Sequence, residues 1–198
     1  MTATVTPTNA MRASLRPTLP VWAVVTPERL AHVVRVAELA AGWAEAMGVP
    51  DSERNRWLRA VWLHDAMRDA PAAELEEWAS STPGPADLRH GPASAARAKA
   101  DGETDRGVLD AVRYHSLGLA EWDMVGRVLY CADYLEPGRN FDPEGRAELA
   151  EQFPHEPREV LREVARARIA HCVSAGLPLF DPTVRFWNSL ASASPPRR

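Results

Sequence analysis

Residues 60–69 read AVWLHDAMRD, an apolar run of Val61, Trp62 and Leu63 that breaks into His64 and Asp65 side by side. An imidazole and a carboxylate carried into an apolar helix cost free energy unless something satisfies them. A metal ion is a partner that suits both. Val61, His64, Asp65 and Arg68 follow i, i+3, i+4, i+7 spacing and occupy one stripe of that helix.

Helical spacing extends from this stretch in both directions, with Pro and Gly between segments rather than inside them, and predicts an all-α bundle. The helix bearing His64 starts after an Asp51 cap. Before it, Thr26-Pro27 opens a helix that glycine ends near Gly48. Arg35, Glu38 and Glu45 share its charged arc, and Leu30, Val33, Val34, Ala37, Ala41 and Ala44 fill the opposite one. His32 lies with Val36, Leu39 and Trp43 and faces inward. Further on, APAAELEEWA (70–79) reads as a short helix, SSTPGPADLR (80–89) as a loop, and His90-Gly91-Pro92 opens the next helix. DRGVLDAVRYHS (105–116) and EWDMVGRVLYCADYLEPG (121–138) give two more, ending in His115 and in Asp133 with Glu136. A long helix from about Pro157 to Gly176 carries Val160, Leu161, Val164, Ala167 and Ile169 as its core face, and LPLFDPTVRFWNSL (177–190) closes the domain.

The chain has 198 residues, 45% of them hydrophobic, enough for one substantial core. Residues 1–20 and 191–198, rich in Thr, Pro and Ser, read as poorly ordered tails around a domain over 21–190. The net charge of -4 offers no basic footprint for nucleic acid or an anionic membrane, so the expected partner is a small molecule. Lys99 is the sole lysine among 23 basic residues, a bias of coding, although arginine does suit phosphate oxygens. Cys131 and Cys172 lie far apart, without a C-x-x-C pair, as in a reducing cytoplasm. No apolar run approaches the ~18 uncharged residues that span a bilayer, and the first residues lack a hydrophobic signal core.

Of six histidines, His32, His64, His90 and His115 fall at the inward margin or the end of separate helices, in company with Asp65 and Asp133. Different helices of a bundle can aim such side chains at one interior point. Imidazole nitrogen and carboxylate oxygen suit first-row transition metals, and two ions sharing a bridging carboxylate, for which Asp65 is the natural choice, activate a water between them. Two carboxylates leave two divalent ions with surplus positive charge, which draws an anion; a phosphate ester or anhydride is the expected substrate class. A lone inward histidine is more often a hydrogen-bonded core residue than a ligand, and His155, in a polar loop between Pro154 and Pro157, and His171, late in a helix, are read that way. The ordered set, not any single member, carries the inference.

ERLAHVVRVAELA (28–40), LHDAMRD (63–69), LRHGPASAA (88–96), YHSLG (114–118), VLYCADYLEPGRNFD (128–142) and DPTVRFWNSL (181–190) together resemble the HD-domain metal-dependent phosphohydrolases. They are most similar to the bacterial YqeK-type symmetrical bis(5'-nucleosyl)-tetraphosphatases, which cut diadenosine tetraphosphate into two ADP. The resemblance implies an all-α HD-domain bundle around a dinuclear, iron-containing centre held by His32, His64, Asp65, His90, His115 and Asp133, with Asp65 bridging. Manganese, cobalt and zinc suit the same ligands. It also implies that Glu136 and Arg139 line the substrate pocket, with Thr183 and Asn188. Arg68 stands where the family commonly has lysine.

On this reading a metal-activated hydroxide attacks an inner phosphorus, Arg68 and Arg139 hold flanking phosphates, and Glu136 orients water or a ligand. Guanosine-tetraphosphate hydrolases of the superfamily typically show H-D-x-x-E-D, whereas Arg68 precedes Asp69 here. The G-Y-P motif of the cyclic-dinucleotide branch is absent. Another HD-superfamily nucleotide phosphohydrolase, acting on guanosine tetraphosphate or a nucleotide phosphate, a dinuclear HD oxygenase, a nucleotide-binding sensor with little turnover and a purely structural helical module are the alternatives.

Overall fold

A computed structural model describes residues 18–79 and 85–192. The expected tails therefore fall outside the described residues except at 18–20, 191 and 192, as does much of the loop expected at 80–89. Nine α-helices and no strands occur among the described residues: α1 Pro27–Ala46, α2 Asp51–His64, α3 Ala72–Ala79, α4 His90–Ala100, α5 Arg106–Tyr114, α6 Met124–Leu135, α7 Pro143–Gln152, α8 Pro157–Ser174 and α9 Asp181–Ser192. A 3-10 turn, Ala86–Leu88, leads into α4. No described helix is long and apolar enough to cross a membrane.

Two helices organise the rest. α2 packs on α1, α4, α5 and α6, and α6 packs in turn on α1, α2, α5, α7 and α8. Trp57, Leu58 and Val61 of α2 and Val128, Leu129 and Tyr130 of α6 are all but fully buried. At about 1.5–3 kcal/mol per buried large apolar side chain, this shared seam is a main source of cohesion. A smaller cluster of Met67, Ala70, Ala79 and Ala93 lies under Trp22, Val24 and Trp78. There the extended lead-in segment pairs with the turn after Asp65, through Val24 N donating to Ala66 O (2.8 Å) and Asp69 N to Val24 O (3.2 Å).

Several boundaries follow the expected chemistry. Thr26 caps α1, its hydroxyl accepting from Arg29 N. Asp105 and Asp123 cap α5 and α6 in the same manner. Asp51 is a correction: Pro50 holds the cap position with an extended ψ of 149°, and Asp51 is the first helical residue, its charge in the first turn. Leu30, expected in the buried arc of α1, is 39% exposed, in a first turn that is largely exposed, whereas Arg35, expected on the charged arc, turns back to Glu136.

α7 was not expected at all. Its apolar residues form no stripe, and only Arg146 is buried in it. Asp142 starts it from a left-handed conformation (φ 38°), its carboxylate accepting from Gly145 N at 3.2 Å. The Arg146 guanidinium donates to the carbonyls of Tyr134 (3.1 Å), Arg139 (3.1 Å), Phe141 (2.9 Å) and Glu136, and so fastens the loop after α6.

Candidate metal centre

His64 is the last residue of α2 and Asp65 follows it as the cap; His90 is the first residue of α4, His115 caps α5, Asp133 lies in the last turn of α6, and His32 is in the second turn of α1. All six are buried, none more than 6% exposed. The six side chains expected to converge do so. Asp65 stands at the middle: its Oδ2 lies 3.5 Å from His64 Nε2 and 3.9 Å from His32 Nε2, its Oδ1 3.3 Å from His90 Nε2 and 3.6 Å from His115 Nε2. Asp133 Oδ1 approaches His32 Nε2 at 3.2 Å. His32, His64 and Asp65 form one group of ligand atoms within 4.8 Å of each other, and Asp65, His90 and His115 form a second.

Each ring is turned by a bond from its far nitrogen. His64 Nδ1 lies 2.6 Å from Val61 O, His90 Nδ1 2.7 Å from Asp87 O and His115 Nδ1 2.8 Å from Val112 O, while His32 Nδ1 faces Glu136 Oε1 at 3.1 Å. Carbonyl and carboxylate oxygens only accept, so the Nδ1 atoms of His32, His64 and His115 carry a proton and their Nε2 atoms turn to the centre, whereas His90 Nδ1 also lies 3.0 Å from the Arg68 Nη1 donor. Outer-sphere partners orient metal-binding histidines in this way. The Nε2 atoms of His32 and His64 are buried without a hydrogen bond, and those of His90 and His115 confront one another at 3.0 Å. The Ser116 hydroxyl, 3.2 Å from His115 Nε2, can donate to that ring, but no donor serves the Nε2 atoms of His32 and His64, and a cation would supply what they lack. The clusters therefore fit a divalent metal site.

The charges agree. Burial alone raises a carboxyl pKa, but the neighbouring imidazoles of His64, His90 and His115 hold Asp65 well below the usual carboxylate range. Asp133 is held down against burial by His32, Arg168 and Arg139. Burial, with His90 and His64 beside it, pushes His115 down to about 3, and burial likewise lowers His64. His32 differs: burial lowers it, yet the carboxylates of Asp133 and Glu136 beside it prevail and raise it above 6.5.

Local geometry explains the turns. Ser94 Oγ accepts from Met67 N (3.1 Å) and steadies the backbone past Asp65. Past His115, Gly118 has φ 87°, and a Cβ there would lie 2.2 Å from the Phe186 ring, so both conformation and space require glycine. Thr183 donates its hydroxyl to Leu117 O (2.8 Å) and fastens the same turn to α9.

A cavity of about 820 Å³ opens beside the centre, lined by Asp133, Arg139, Ser116 and Thr183 and by an apolar wall that includes Tyr134 and Phe141. Arg139 donates to Asp133 Oδ1 at 2.5 Å. Arg68 lies on the His90 side, donating to Asp87 O at 2.9 Å. Glu136, 1% exposed, is not among the cavity's lining residues; it stands behind His32 and accepts from Arg35 Nε (2.5 Å) and Gly138 N (2.6 Å). Asn188 is exposed on α9 and does not line the cavity. His155 and His171 are exposed, the latter at the cavity edge.

Sequence reasoning passed over Arg29, Arg35 and Arg168. Arg29 donates to Asp65 Oδ2 at 2.9 Å. Arg29 and Arg35 each stand three residues from His32, and that one-turn spacing was the available signal. Arg168 had none.

The description of the HD domain matches residues 29–138, a span that holds all six converging side chains. The chain belongs to the HD domain family. This HD-domain protein is similar to the symmetrical bis(5'-nucleosyl)-tetraphosphatase of Bacillus subtilis (strain 168), 28% identical over 178 residues, 86% of this chain and 93% of that protein. It is also similar to the symmetrical bis(5'-nucleosyl)-tetraphosphatase of Staphylococcus aureus (strain NCTC 8325 / PS 47), 30% identical over 120 residues, 57% of this chain and 60% of that one. Among solved structures, a Clostridium acetobutylicum protein described as a "predicted HD superfamily hydrolase involved in NAD metabolism" superposes with a TM-score of 0.75 at 24% identity, covering 86% of this chain and 92% of its own, and so shares the HD fold.

Proposed function

We propose that this HD-domain protein is a metal-dependent hydrolase that cleaves diadenosine tetraphosphate symmetrically into two ADP. The observation that carries the reading is the position of Asp65, one carboxylate oxygen toward His32 and His64 and the other toward His90 and His115. Two ions would be held there, one by His32, His64 and Asp133 and one by His90 and His115, with Asp65 serving both; iron is the metal the resemblance implies, and manganese, cobalt and zinc suit the same ligands. The names of the bacterial relatives point the same way.

Bound divalent ions supply Lewis-acid polarisation of phosphoryl oxygens and lower the pKa of a coordinated water. The protein's own residues set the geometry. Asp65, held ionised by the imidazoles around it, and His64 and His115, held neutral by burial, keep their side of the centre ready at neutral pH. Arg139 and Arg68 flank it with planar donors that match phosphate oxygens, one on the Asp133 side and one on the His90 side, and fix which anhydride lies in line. Glu136 acts through His32, whose ring it aims. In the reaction a water oxygen bonds to an inner phosphorus, the central P–O–P linkage breaks, and ADP departs from each side. Both cysteines are free thiols, which suits a reducing cytoplasm as the place of reaction.

Product analysis tests this directly. Protein loaded with ferrous iron and supplied with diadenosine tetraphosphate is expected to release ADP alone; AMP with ATP, or no turnover, would overturn the assignment.

A further inference from the structure

Arg168 reaches from α8 to the wall of the cavity that faces Asp133. Its guanidinium carbon lies 4.4 Å above the Tyr130 ring and 6.0 Å from that of Tyr134, so aromatic faces fix the plane of the group. Its Nη1 lies 3.5 Å from Asp133 Oδ2 but makes no hydrogen bond there or elsewhere, although the atom is buried. An unsatisfied buried donor on a charged group is costly. The other lining cation is Arg139, whereas Asp87 and Asp133 are the acidic residues that line the cavity, and Asp133 is already engaged by Arg139 and His32. Two arginines thus border one space beside Asp133, and Arg168 Nη1 is left there without an acceptor.

We propose that Arg168 is a phosphate-binding residue of this cavity, donating to the diphosphate oxygens of the nucleotide half that lies on the Asp133 side. The proposal rests on the reading of the centre as a phosphoanhydride hydrolase. Stacking on Tyr130 presets the guanidinium fork, so little side-chain freedom is lost when an oxyanion arrives. A charged planar fork also favours phosphate over the uncharged nucleoside.

Calorimetric titration of the metal-loaded protein with ADP, inorganic pyrophosphate and adenosine separates this role from a structural one. In Arg168→Met, ADP and pyrophosphate are expected to bind about tenfold or more weakly, with adenosine binding and metal content unchanged and KM for the dinucleotide raised more than kcat is lowered. Loss of metal with unaltered ADP affinity in the loaded fraction would make Arg168 a positioning residue of Asp133 and overturn the proposal, as would equal weakening of all three ligands. If Arg168→Met does not fold, Arg168→Lys decides: it keeps the charge beside Asp133 but lacks the fork, so ADP affinity still falls, and an unchanged affinity refutes the assignment. Wild-type protein that binds pyrophosphate through Arg168 yet leaves diadenosine tetraphosphate intact would sink the reaction while the anion site stands.

Discussion

His64, His90 and His115 are held differently from His32, though all four rings point to one centre. The first three each bond to a backbone carbonyl three residues back, at 2.6, 2.7 and 2.8 Å, so the segment that carries the ring also aims it. His32 relies on Glu136, which lies 104 residues away and is itself held by Arg35 and Gly138 N. One corner is organised locally and cannot be altered without moving backbone. The other is assembled by tertiary contacts between α1 and the loop after α6, and side-chain substitution can dismantle it. Asp65 alone belongs to both.

The largest effect is therefore expected at Asp65. Asp65→Asn keeps shape but removes the charge that serves both triads of ligand atoms. Several kcal/mol of transition-state stabilisation are at stake, roughly 10³-fold in turnover, with loss of part of the bound metal. Turnover and metal content measured on one preparation check this; normal values for both would remove Asp65 from the centre.

Glu136→Gln breaks one corner and spares the other. A loss of about 10- to 100-fold in metal affinity or activity is expected, with less metal bound per chain as the His32 group of ligand atoms weakens and the His90 group is left intact. Its pH dependence sharpens the contrast. Glu136 helps to raise the His32 pKa above 6.5, and the protonated ring stabilises the metal-free fold below that value, a contribution lost as pH rises through the raised pKa. Metal requires the neutral ring, so affinity falls as pH drops through the same value. Removing the Glu136 charge lowers that pKa and moves the acid limb of metal binding to lower pH. His64 and His115, pressed down by burial, the latter to about 3, do not titrate in that window, so an unmoved limb in Glu136→Gln would mean that His32 does not set it.

The same division explains what could be read from sequence. His64, Asp65, His90 and His115 stand at helix ends, where apolar periodicity gives way to a polar residue, and their orientation is set within a turn of chain; the residue order alone exposed them. Arg29 and Arg35 flank His32 at one-turn spacing, but the charged arc of α1 hid Arg35 because its long stem bends back toward Glu136. Arg146 and Arg168 left no trace. Nothing periodic marks a guanidinium that crosses between elements to gather four carbonyls or to lie on a tyrosine face, and α7, which exists largely to deliver Arg146, lacks the apolar stripe by which a helix is recognised.

The smallest effect is expected where the locally organised corner is joined to the rest. Rings aimed by their own helices still need those helices in register, and Asp105 joins the two that end in His64 and His115. Its carboxylate accepts from Arg56 of α2 at 2.6 Å and caps α5 through Val108 N at 3.2 Å. The hydrogen bond from Arg56, working against burial, draws the Asp105 pKa from 3.8 down to about 2. A depressed carboxylate contributes stability that is present above pH 3.8 and is lost as pH falls toward about 2. Asp105→Asn retains a good capping oxygen but loses the ion pair, and at this partly exposed site a cost below about 1 kcal/mol is expected, whereas Asp105→Ala loses the cap as well, about 1 kcal/mol more. Thermal melts of wild type and Asp105→Asn should differ at neutral pH and converge near pH 2, with turnover close to unchanged. A marked loss of activity in Asp105→Asn at unchanged stability would show instead that the His64 and His115 corner depends on this distant pair, and that local carbonyls do not suffice to hold it.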